Sequence, residues 1–416
     1  MNVKINSILL IIFFSVIILI LMSRRSKKLY YFDNNATTLI YDKHIRDAII
    51  AWIDCGNPSN TLHEMGMIAR EKIEECRSLI ATDMKVKPEE IYFTSGATES
   101  NNIIIQGIIK KYLKKGGKYT VIASSFEHHS VLNIFKHYQH NPSLEVIFIE
   151  PNQDIDSPYY GCIDPSHVEK AIQNAKNQVI LVSIMHANNE TGSIQQIAEI
   201  GTITNKYKVF FHTDATQTMG KYIIHPHTIN VNALSFSGHK FHGPKGIGCL
   251  FVSEGTEFEN LSYGGEQEFE KRPGTENVSG IVGMTYALLL AHNNREKKNK
   301  EMLLKKIWIL KNLKDKFKFQ LVSPHIKNTL PNTIFIMLND IQTCNKTITS
   351  QLNNLSICVG VGSACQTGKL SHVLESMKVP TKDKDKVIRI SLSDYTKLSE
   401  CDYLVSNLTK IVKKNS

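Results

Sequence analysis

The sequence predicts an α/β protein: a large lobe on a mostly parallel sheet, joined to a smaller α+β lobe. Three observations carry this. Short apolar runs alternate with helical patterns from about Leu29 to Val252, the rhythm of strands and helices stacked on a parallel sheet. The run Val179-Ile-Leu-Val-Ser-Ile184 is almost continuously apolar, as a strand covered on both faces must be. From about Val282 the rhythm changes to a long helical stretch followed by scattered strand-like runs. A chain of 416 residues is long enough for two such lobes.

In order along the chain, Ile5 to Met22 is apolar except for Asn6, Ser7 and Ser15, near the lower limit for spanning a bilayer. The basic Ser23-Arg-Arg-Ser-Lys-Lys28 follows it, against a single Lys4 before. That asymmetry predicts a single-pass anchor with the rest of the chain in the cytosol. A cleaved signal peptide would carry its basic residues first and end in small ones. Leu29 to Phe32 reads as a short strand ending in the polar turn Asp33-Asn-Asn-Ala-Thr-Thr38. A helix is expected from about Asp42 to Ile53, a turn-rich loop at Gly56-Asn-Pro-Ser59, and a helix from about Glu64 to Thr82. Strands follow at Ile91–Thr94, Tyr119–Ala123, Leu144–Ile149, Val179–Ile184, Val209–Phe211, Leu234–Phe236 and Cys249–Val252. Helices are expected after Ser95, over Pro165–Ala175 and over Ile194–Tyr207. One helical stretch then reaches about Lys316, with Met302, Leu303, Leu304, Ile307 and Ile309 supplying apolar positions among lysines. Phe317–Val322, Thr333–Met337 and Val387–Leu392 are strand-like, and the strand near Tyr30 is placed against this smaller lobe.

Lys plus Arg exceed Asp plus Glu by ten, and the excess is spread along the chain. No nucleic-acid recognition motif accompanies it, so no nucleic-acid role is expected. The eight cysteines form no Cys-x-x-Cys pair and show no zinc-finger spacing. Scattered cysteines in a chain of this size read as reduced thiols. Asn35-Ala-Thr and Asn189-Glu-Thr are glycosylation sequons within motifs assigned to chemistry, a further argument against export.

The chemistry gathers just after predicted strands, where open parallel sheets bind ligands. Lys240 follows the strand at Leu234–Phe236 within Ser237-Gly-His-Lys240, and Asp214 follows the strand at Val209–Phe211. A carboxylate at one strand end and, at the end of a later strand, a lysine amine that can form a Schiff base match what pyridoxal phosphate requires. Ser95-Gly-Ala-Thr-Glu99 opens a helix after a strand, and its N–H groups suit a phosphate around Ala97 and Thr98. On that turn alone, an ordinary N-cap serves equally well. Cys365 lies in the glycine-rich Cys358-Val-Gly-Val-Gly-Ser-Ala-Cys-Gln-Thr-Gly368, where a thiol needs a helper group to ionise at neutral pH.

Ten motifs then fall in one order: Phe32-Asp-Asn-Asn-Ala-Thr-Thr, Gly56-Asn-Pro-Ser, Phe93-Thr-Ser-Gly-Ala-Thr-Glu-Ser, Glu127-His128, Asn188-Asn-Glu, Asp214-Ala-Thr-Gln, Ser237-Gly-His-Lys, Arg272-Pro-Gly-Thr-Glu-Asn, Gly362-Ser-Ala-Cys and Ile388-Arg-Ile-Ser. In these the chain resembles the cysteine desulfurases, the NifS/IscS-like branch of the class V aminotransferases, from about Leu29 onward. The resemblance implies a fold-type I pyridoxal phosphate enzyme that is a homodimer. Its large cofactor-binding domain would span 46–285, with a small domain carrying the cysteine loop at 286–416. Residues 29–45 would pack with the small domain, and 1–28 would be the anchor with its basic flank. Lys240 would bind the cofactor aldehyde, Asp214 would pair with the ring nitrogen, and His128 would stack on the ring and help move protons. Asn189 and Gln217 would bond ring substituents. Ala97, Thr98, Ser237 and His239 would hold the phosphate, and Thr275 would reach the phosphate of the other subunit's cofactor. Arg389, with Asn189 beside it, would bind the substrate carboxylate.

Cys365 would take the sulfur of L-cysteine as a persulfide, leaving L-alanine, and pass it to an acceptor protein or scaffold, as in iron–sulfur cluster assembly or thiolation. No resident metal is expected, although Cys365 could transiently ligate an iron–sulfur cluster. The chain departs from the assembly-type pattern in the six residues between Cys365 and His372, slightly few for that branch. The alternatives are a selenocysteine lyase or related class V lyase, and a membrane-anchored scaffold that kept the fold without the chemistry.

Overall fold

The computed structural model describes residues 28–361 and 371–416. The expected anchor at Ile5–Met22 and the loop bearing Cys365 lie outside these residues. Among the described residues, no helix is long and apolar enough to cross a membrane.

The large lobe is built on seven strands: β2 (Ile91–Thr94), β3 (Tyr119–Ser124), β4 (Leu144–Ile149), β5 (Gln178–Ser183), β6 (Phe210–Asp214), β7 (Ala233–Ser237) and β8 (Gly248–Val252). Their order across the sheet is β2-β8-β7-β6-β5-β3-β4. Only β8 runs against its neighbours, pairing antiparallel with both β2 and β7. The other strands therefore point the same way and bring their carboxyl ends to one edge. The apolar content of β5 and β7 reflects cover on both faces, since Val179–Ser183 and Ala233–Ser237 are buried throughout.

One face of this sheet packs a core that includes Ile73, Ile80, Phe211, Phe236 and Met284. It is closed by helices α1 (Lys43–Ala51), α2 (Glu64–Met84) and α7 (Val278–His292). The opposite face packs Ile104, Ile108, Val131 and Phe135 from α3 (Ala97–Lys114) and α4 (His129–Tyr138). Helices α5 (Pro165–Asn174) and α6 (Ile197–Lys206) connect successive parallel strands.

The small lobe has its own core, with Ile309, Leu313, Ile336, Ile390 and Leu408. Its antiparallel sheet has the order β12 (Val387–Ser391), β10 (Thr333–Leu338), β9 (Phe319–Leu321). Strand β1 (Tyr30–Phe32) pairs in parallel with β11 (Ile357–Val359), so the start of the described chain is part of this lobe. Helices α8 (Arg295–Lys314), α9 (Asn345–Asn354), α10 (His372–Ser376) and α11 (Leu398–Lys414) complete it.

The single long helix expected up to about Lys316 is two helices. The break falls at Asn293-Asn294, where Asn294 takes a left-handed φ of 55°, a conformation asparagine tolerates better than most residues. The helix expected from Ile194 begins instead at Ile197. Ser193 and Ile194 make isolated bridges to Thr329 and Ala187, so their backbone is already committed to strand-like pairing.

A buried ion pair fixes the strap between β8 and α7. Arg77 on α2 is 2% exposed and grips Glu268 through two hydrogen bonds of 2.9 and 2.8 Å. Glu268 also accepts from the Phe93 N–H at 2.7 Å. The guanidinium lies over the Phe93 and Phe269 rings, 4.9 and 5.2 Å from their centroids. Glu268, Phe269 and Glu270 have φ of 48°, 56° and 63°, which costs of order 1 kcal/mol or more for each non-glycine residue. The paired charge offsets that strain. Glu268→Ala should therefore lower stability by about 3–5 kcal/mol, because buried Arg77 keeps only the part-exposed Glu74, 3.0 Å from its Nε, and the Phe93 N–H loses its acceptor. Denaturant unfolding checks this, and a loss below about 1 kcal/mol would mean that the pair does not hold the strap.

Candidate active site

The carboxyl ends of β2, β3, β5, β6 and β7 meet the small lobe around a cavity of about 540 Å³. Lys240 enters it from a short 3-10 turn, Gly238–Lys240, that follows β7. Its Nζ donates to the carbonyl oxygens of Asn35 and Ala36 at 2.7 and 2.9 Å. Burial and the nearby Arg389 cation push the Lys240 amine down to about 7, against the pull of Asp214, and Lys221 adds to the depression. Such an amine is partly free of its proton near neutrality and can act as nucleophile or base.

Asp214 ends β6 and is 4% exposed. Its Oδ1 accepts from the Thr216 N–H and its Oδ2 from Asn101 Nδ2, both at 2.9 Å. The carboxylate is held rigid and faces the same cavity as Lys240.

At another wall, β2 turns into α3. Ala97 N–H donates to Ser237 Oγ at 2.7 Å, so two of the expected phosphate holders already touch. This closeness depends on Gly248, where an added Cβ would lie 2.5 Å from the Gly96 Cα. Thr98 and His239 line the cavity here. His239 Nδ1 is 3.0 Å from Thr37 Oγ1, and burial, with Lys240 and Lys245 adding, lowers its pKa to about 4. It meets a ligand as a neutral ring.

His128 caps α4. Its Nδ1 accepts from the Ser130 N–H at 3.1 Å, which leaves Nε2 as the protonated nitrogen of the neutral ring. Burial lowers its pKa, opposed by Asp214 and reinforced by Lys240. Gln217 spends one amide N–H on the Asn35 carbonyl at 3.0 Å.

Arg389 extends from β12 of the small lobe. Its Nη1 donates to the Asn189 carbonyl at 2.9 Å and its Nη2 to Asp33 Oδ1 at 2.7 Å. Gly360 permits this packing, since a Cβ there would lie 2.6 Å from Asp33 Oδ1.

Ala97, Thr98, His128, Asn189 and Asp214 thus share one cavity with Gln217, Ser237, His239, Lys240 and Arg389. Two expected residues do not join them. Thr275 is exposed on the strap and does not line the cavity. Cys365 lies outside the described residues, although Val359, Gly360 and Val361, just before its loop, do line it.

The sequence reading assigned no role to Asp33, Asn35, Asn101 or Glu127. Asn101 was findable, because it stands one turn after Ala97 on the same helical face. The contributions of Asn35 and Asn189 through backbone oxygens carry no residue-type signal. Glu127 is fully buried, and its Oε1 accepts from the Ser124 hydroxyl and, at 2.7 Å, from the Met185 N–H. Its Oε2 has no partner. Burial raises its pKa to about 8, opposed by these hydrogen bonds and reinforced by Asp214. The folded state therefore keeps a proton that the unfolded chain loses near pH 4.3. Stability should fall as pH rises from about 4.3 to 8, by about 1.4 kcal/mol per unit from this group. Glu127→Gln should remove that slope in unfolding measured across pH, and an unchanged slope would show that Glu127 is ionised in the fold.

The cavity fits pyridoxal phosphate. It offers an amine, a fixed carboxylate and a cluster of N–H and hydroxyl donors on separate walls. It also holds buried polar atoms with no protein partner, Gln217 Oε1, Thr216 Oγ1 and Arg389 Nε, as expected of groups meant for a ligand.

A model of the aminotransferase class-V family matches residues 30–404. A protein named cysteine desulfurase IscS from Dictyoglomus turgidum is 36% identical over 361 residues, 86% of this chain and 88% of that protein. A protein of the same name from Methanosarcina thermophila is 35% identical and covers 89% of each chain. Among solved structures, a NifS-like protein aligns with a TM-score of 0.84 at 32% identity, over 93% of this chain and all of that one. SspA in complex with cysteine aligns at 0.74 and 30% identity, over 88% of this chain and 99% of that one. The shared length and one cavity that holds the lysine–aspartate pair lead to one assignment: the chain belongs to the class V aminotransferases, in the pyridoxal-phosphate-dependent cysteine desulfurase branch.

Proposed function

We propose that the chain carries out its cysteine desulfurase reaction with Lys240, Asp214, Arg389 and Cys365 in the leading roles, the sulfur leaving the site on Cys365. The observation that carries this is the convergence of a depressed amine, a fixed carboxylate and a buried guanidinium on one cavity. When bound, pyridoxal phosphate supplies an aldehyde and an electron sink. Asp214, held by Asn101 and Thr216, would keep a proton on the ring nitrogen. Ala97, Thr98, Ser237 and His239 would hold the phosphate. Asn189 and Gln217 would bond the ring substituents, and His128 would lie against the ring and help move protons.

Arg389 binds the carboxylate of L-cysteine, with Asp33 and the Asn189 carbonyl fixing the plane of its guanidinium. Lys240 then takes the substrate α-proton, which its low basicity permits near neutral pH. The Cys365 thiolate attacks the substrate Sγ. The S–S bond forms as the Cβ–Sγ bond breaks, and one proton delivered to Cβ and one returned from Lys240 to Cα complete L-alanine. L-cysteine and one thiol thus become L-alanine and one persulfide. An acceptor protein, as in iron–sulfur cluster assembly or thiolation, then removes the outer sulfur. Alanine and enzyme persulfide should appear in equal amounts in a single turnover with L-cysteine, and alanine without persulfide would defeat the thiol's role.

The active unit in this reading is a homodimer. Thr275 sits outside its own cavity on an exposed strap, where it can serve the partner's phosphate. Exposed apolar side chains at Ile50, Ile53, Leu62, Met65 and Ile68 give α1 and the start of α2 a surface suited to burial. A monomer with full activity in sedimentation and assay would refute this. The reading also places residues 1–28 as a membrane anchor that holds 29–416 at the cytosolic face, with residues 29–45 belonging to the small lobe, 46–285 binding the cofactor and 286–416 carrying the cysteine loop. The support is the apolar run at Ile5–Met22 and the basic flank after it. Recovery of the full-length protein in the high-speed supernatant of lysed cells would remove that assignment.

A further inference from the structure

A second and much smaller space of about 40 Å³ is lined by residues of both lobes. Lys240 lines both this space and the main cavity. The small space is also bordered by Lys221, Arg295 and Lys298, with Asp394 as its one carboxylate and His242 beside it. Lys221, Arg295 and Lys298 therefore face one carboxylate, with the partly protonated Lys240 beside them.

Asp394 is already committed. Its Oδ1 is 2.9 Å from His242 Nε2, and its Oδ2 is 3.7 Å from Lys298 Nζ. Lys298 spends a donor on the Leu290 carbonyl at 2.6 Å. Lys221 Nζ has a single acceptor, the Gln217 carbonyl at 3.1 Å, which leaves two of its three N–H groups unspent. Burial depresses the Lys221 amine to about 8, opposed by Asp394. Arg295 Nε is enclosed and has no partner. Its one ion pair among the described residues is a 3.4 Å contact with Glu296, whose side chain is 91% exposed. Arg295 is also the first residue of α8, so the positive end of a long helix adds to the same space.

Water can accept hydrogen bonds from these donors, but it cannot offset the surplus charge. A space of this size admits more than one water or a single small anion, and the charge surplus favours the anion. We propose that this space binds one small monovalent inorganic anion of chloride size, held by Lys221 and Arg295. The anion has a consequence next door. Arg389 and Lys221 disfavour the charged form of Lys240, while Asp214 and Asp33 favour it. Neutral His239 adjoins it in sequence. Pairing Lys221 with an anion removes one of the two repulsive charges, so the anion raises the affinity of the Lys240 nitrogen for a proton.

The binding claim is independent of the proposed catalytic roles, and the experiment keeps the two apart. Crystals of the full chain loaded with cofactor are soaked in sodium bromide and measured at the bromine absorption edge. The expected result is an anomalous peak between Lys221 and Arg295, lost in Arg295→Gln and in Lys221→Met. Bromide only at surface lysines, or the same peak in both variants, overturns the site. In solution, the cofactor absorption band is titrated with pH in chloride and in gluconate at equal ionic strength. Its midpoint should lie higher in chloride by roughly half a unit, the size of one screened charge at this range. That difference should vanish in Arg295→Gln. Equal midpoints in the two salts overturn the link to Lys240.

Discussion

Lys240→Ala should lower L-cysteine turnover by at least about 10³-fold, since the substitution removes both the covalent tether and the base for the α-proton. The effect on the fold should be far smaller. The Asn35 and Ala36 carbonyls lose their donor, which costs about 1–3 kcal/mol, and one strained cation leaves the cavity. Borohydride treatment of the cofactor-loaded variant should no longer fix the cofactor to the chain. Other lysines compete poorly for this role. Lys245 is exposed and absent from the cavity wall, and Lys221 is directed to the Gln217 carbonyl. Undiminished borohydride labelling in Lys240→Ala, mapped to either of these, would move the catalytic amine elsewhere.

The placement of Lys240 and Asp214 was legible in the sequence because strand ends can be read from where apolar runs stop. Both side chains follow such runs, and a parallel sheet brings strand ends to one edge. The reversal of β8 was not legible. Its residues, Gly248–Val252, look the same in either direction, and only the antiparallel pairing with β2 and β7 reveals which way it runs. The strand at Tyr30–Phe32 was correctly set beside the small lobe.

Helix α8 shows where apolar counting misleads. Leu304 and Ile307 were counted among its apolar positions, yet they are 56% and 43% exposed. The buried stripe is Met302, Lys306, Ile309 and Leu313, spaced four, three and four residues apart as one helical face requires. Lys306 is 3% exposed and donates to Thr329 Oγ1 at 2.7 Å and to the Leu330 carbonyl at 3.1 Å. Periodicity pointed to position 306, but residue type argued against it, because a lysine is buried only where acceptors from distant segments meet it. The left-handed turn at Glu268–Glu270 escaped for a related reason. Its strain is tolerated because of Arg77, 191 positions earlier in the chain.

The second large effect concerns sulfur. Cys365→Ala should leave the cofactor absorption band and L-cysteine binding intact, yet form no persulfide and no stoichiometric alanine. The other cysteines are poor substitutes. None of the seven described cysteines lines the cavity. Burial pushes Cys76 up to about 11 and Cys162 and Cys401 up to about 12, which suppresses the thiolate that the reaction needs. Cys358, closest to the site in sequence, is also raised by burial and then by Asp33. Cys344 is the exception, lowered chiefly by a backbone hydrogen bond from Thr347, but it caps α9 away from the cavity wall.

Covalent geometry favours Cys365. It stands four residues beyond Val361, a cavity-lining residue, and four residues reach at most about 14 Å. On the far side, Ser371 is tied to Glu190 at 2.7 Å and His372 to the Glu127 carbonyl at 2.8 Å, so both flanks of the loop are fixed close to the site. With an unperturbed thiol pKa of about 8.5, turnover limited by thiolate attack should rise with pH through that range in the parent enzyme. A Cys365→Ala protein that still released alanine with a matching yield of protein persulfide would show that another thiol accepts the sulfur, and Cys344→Ala would then be the variant to examine.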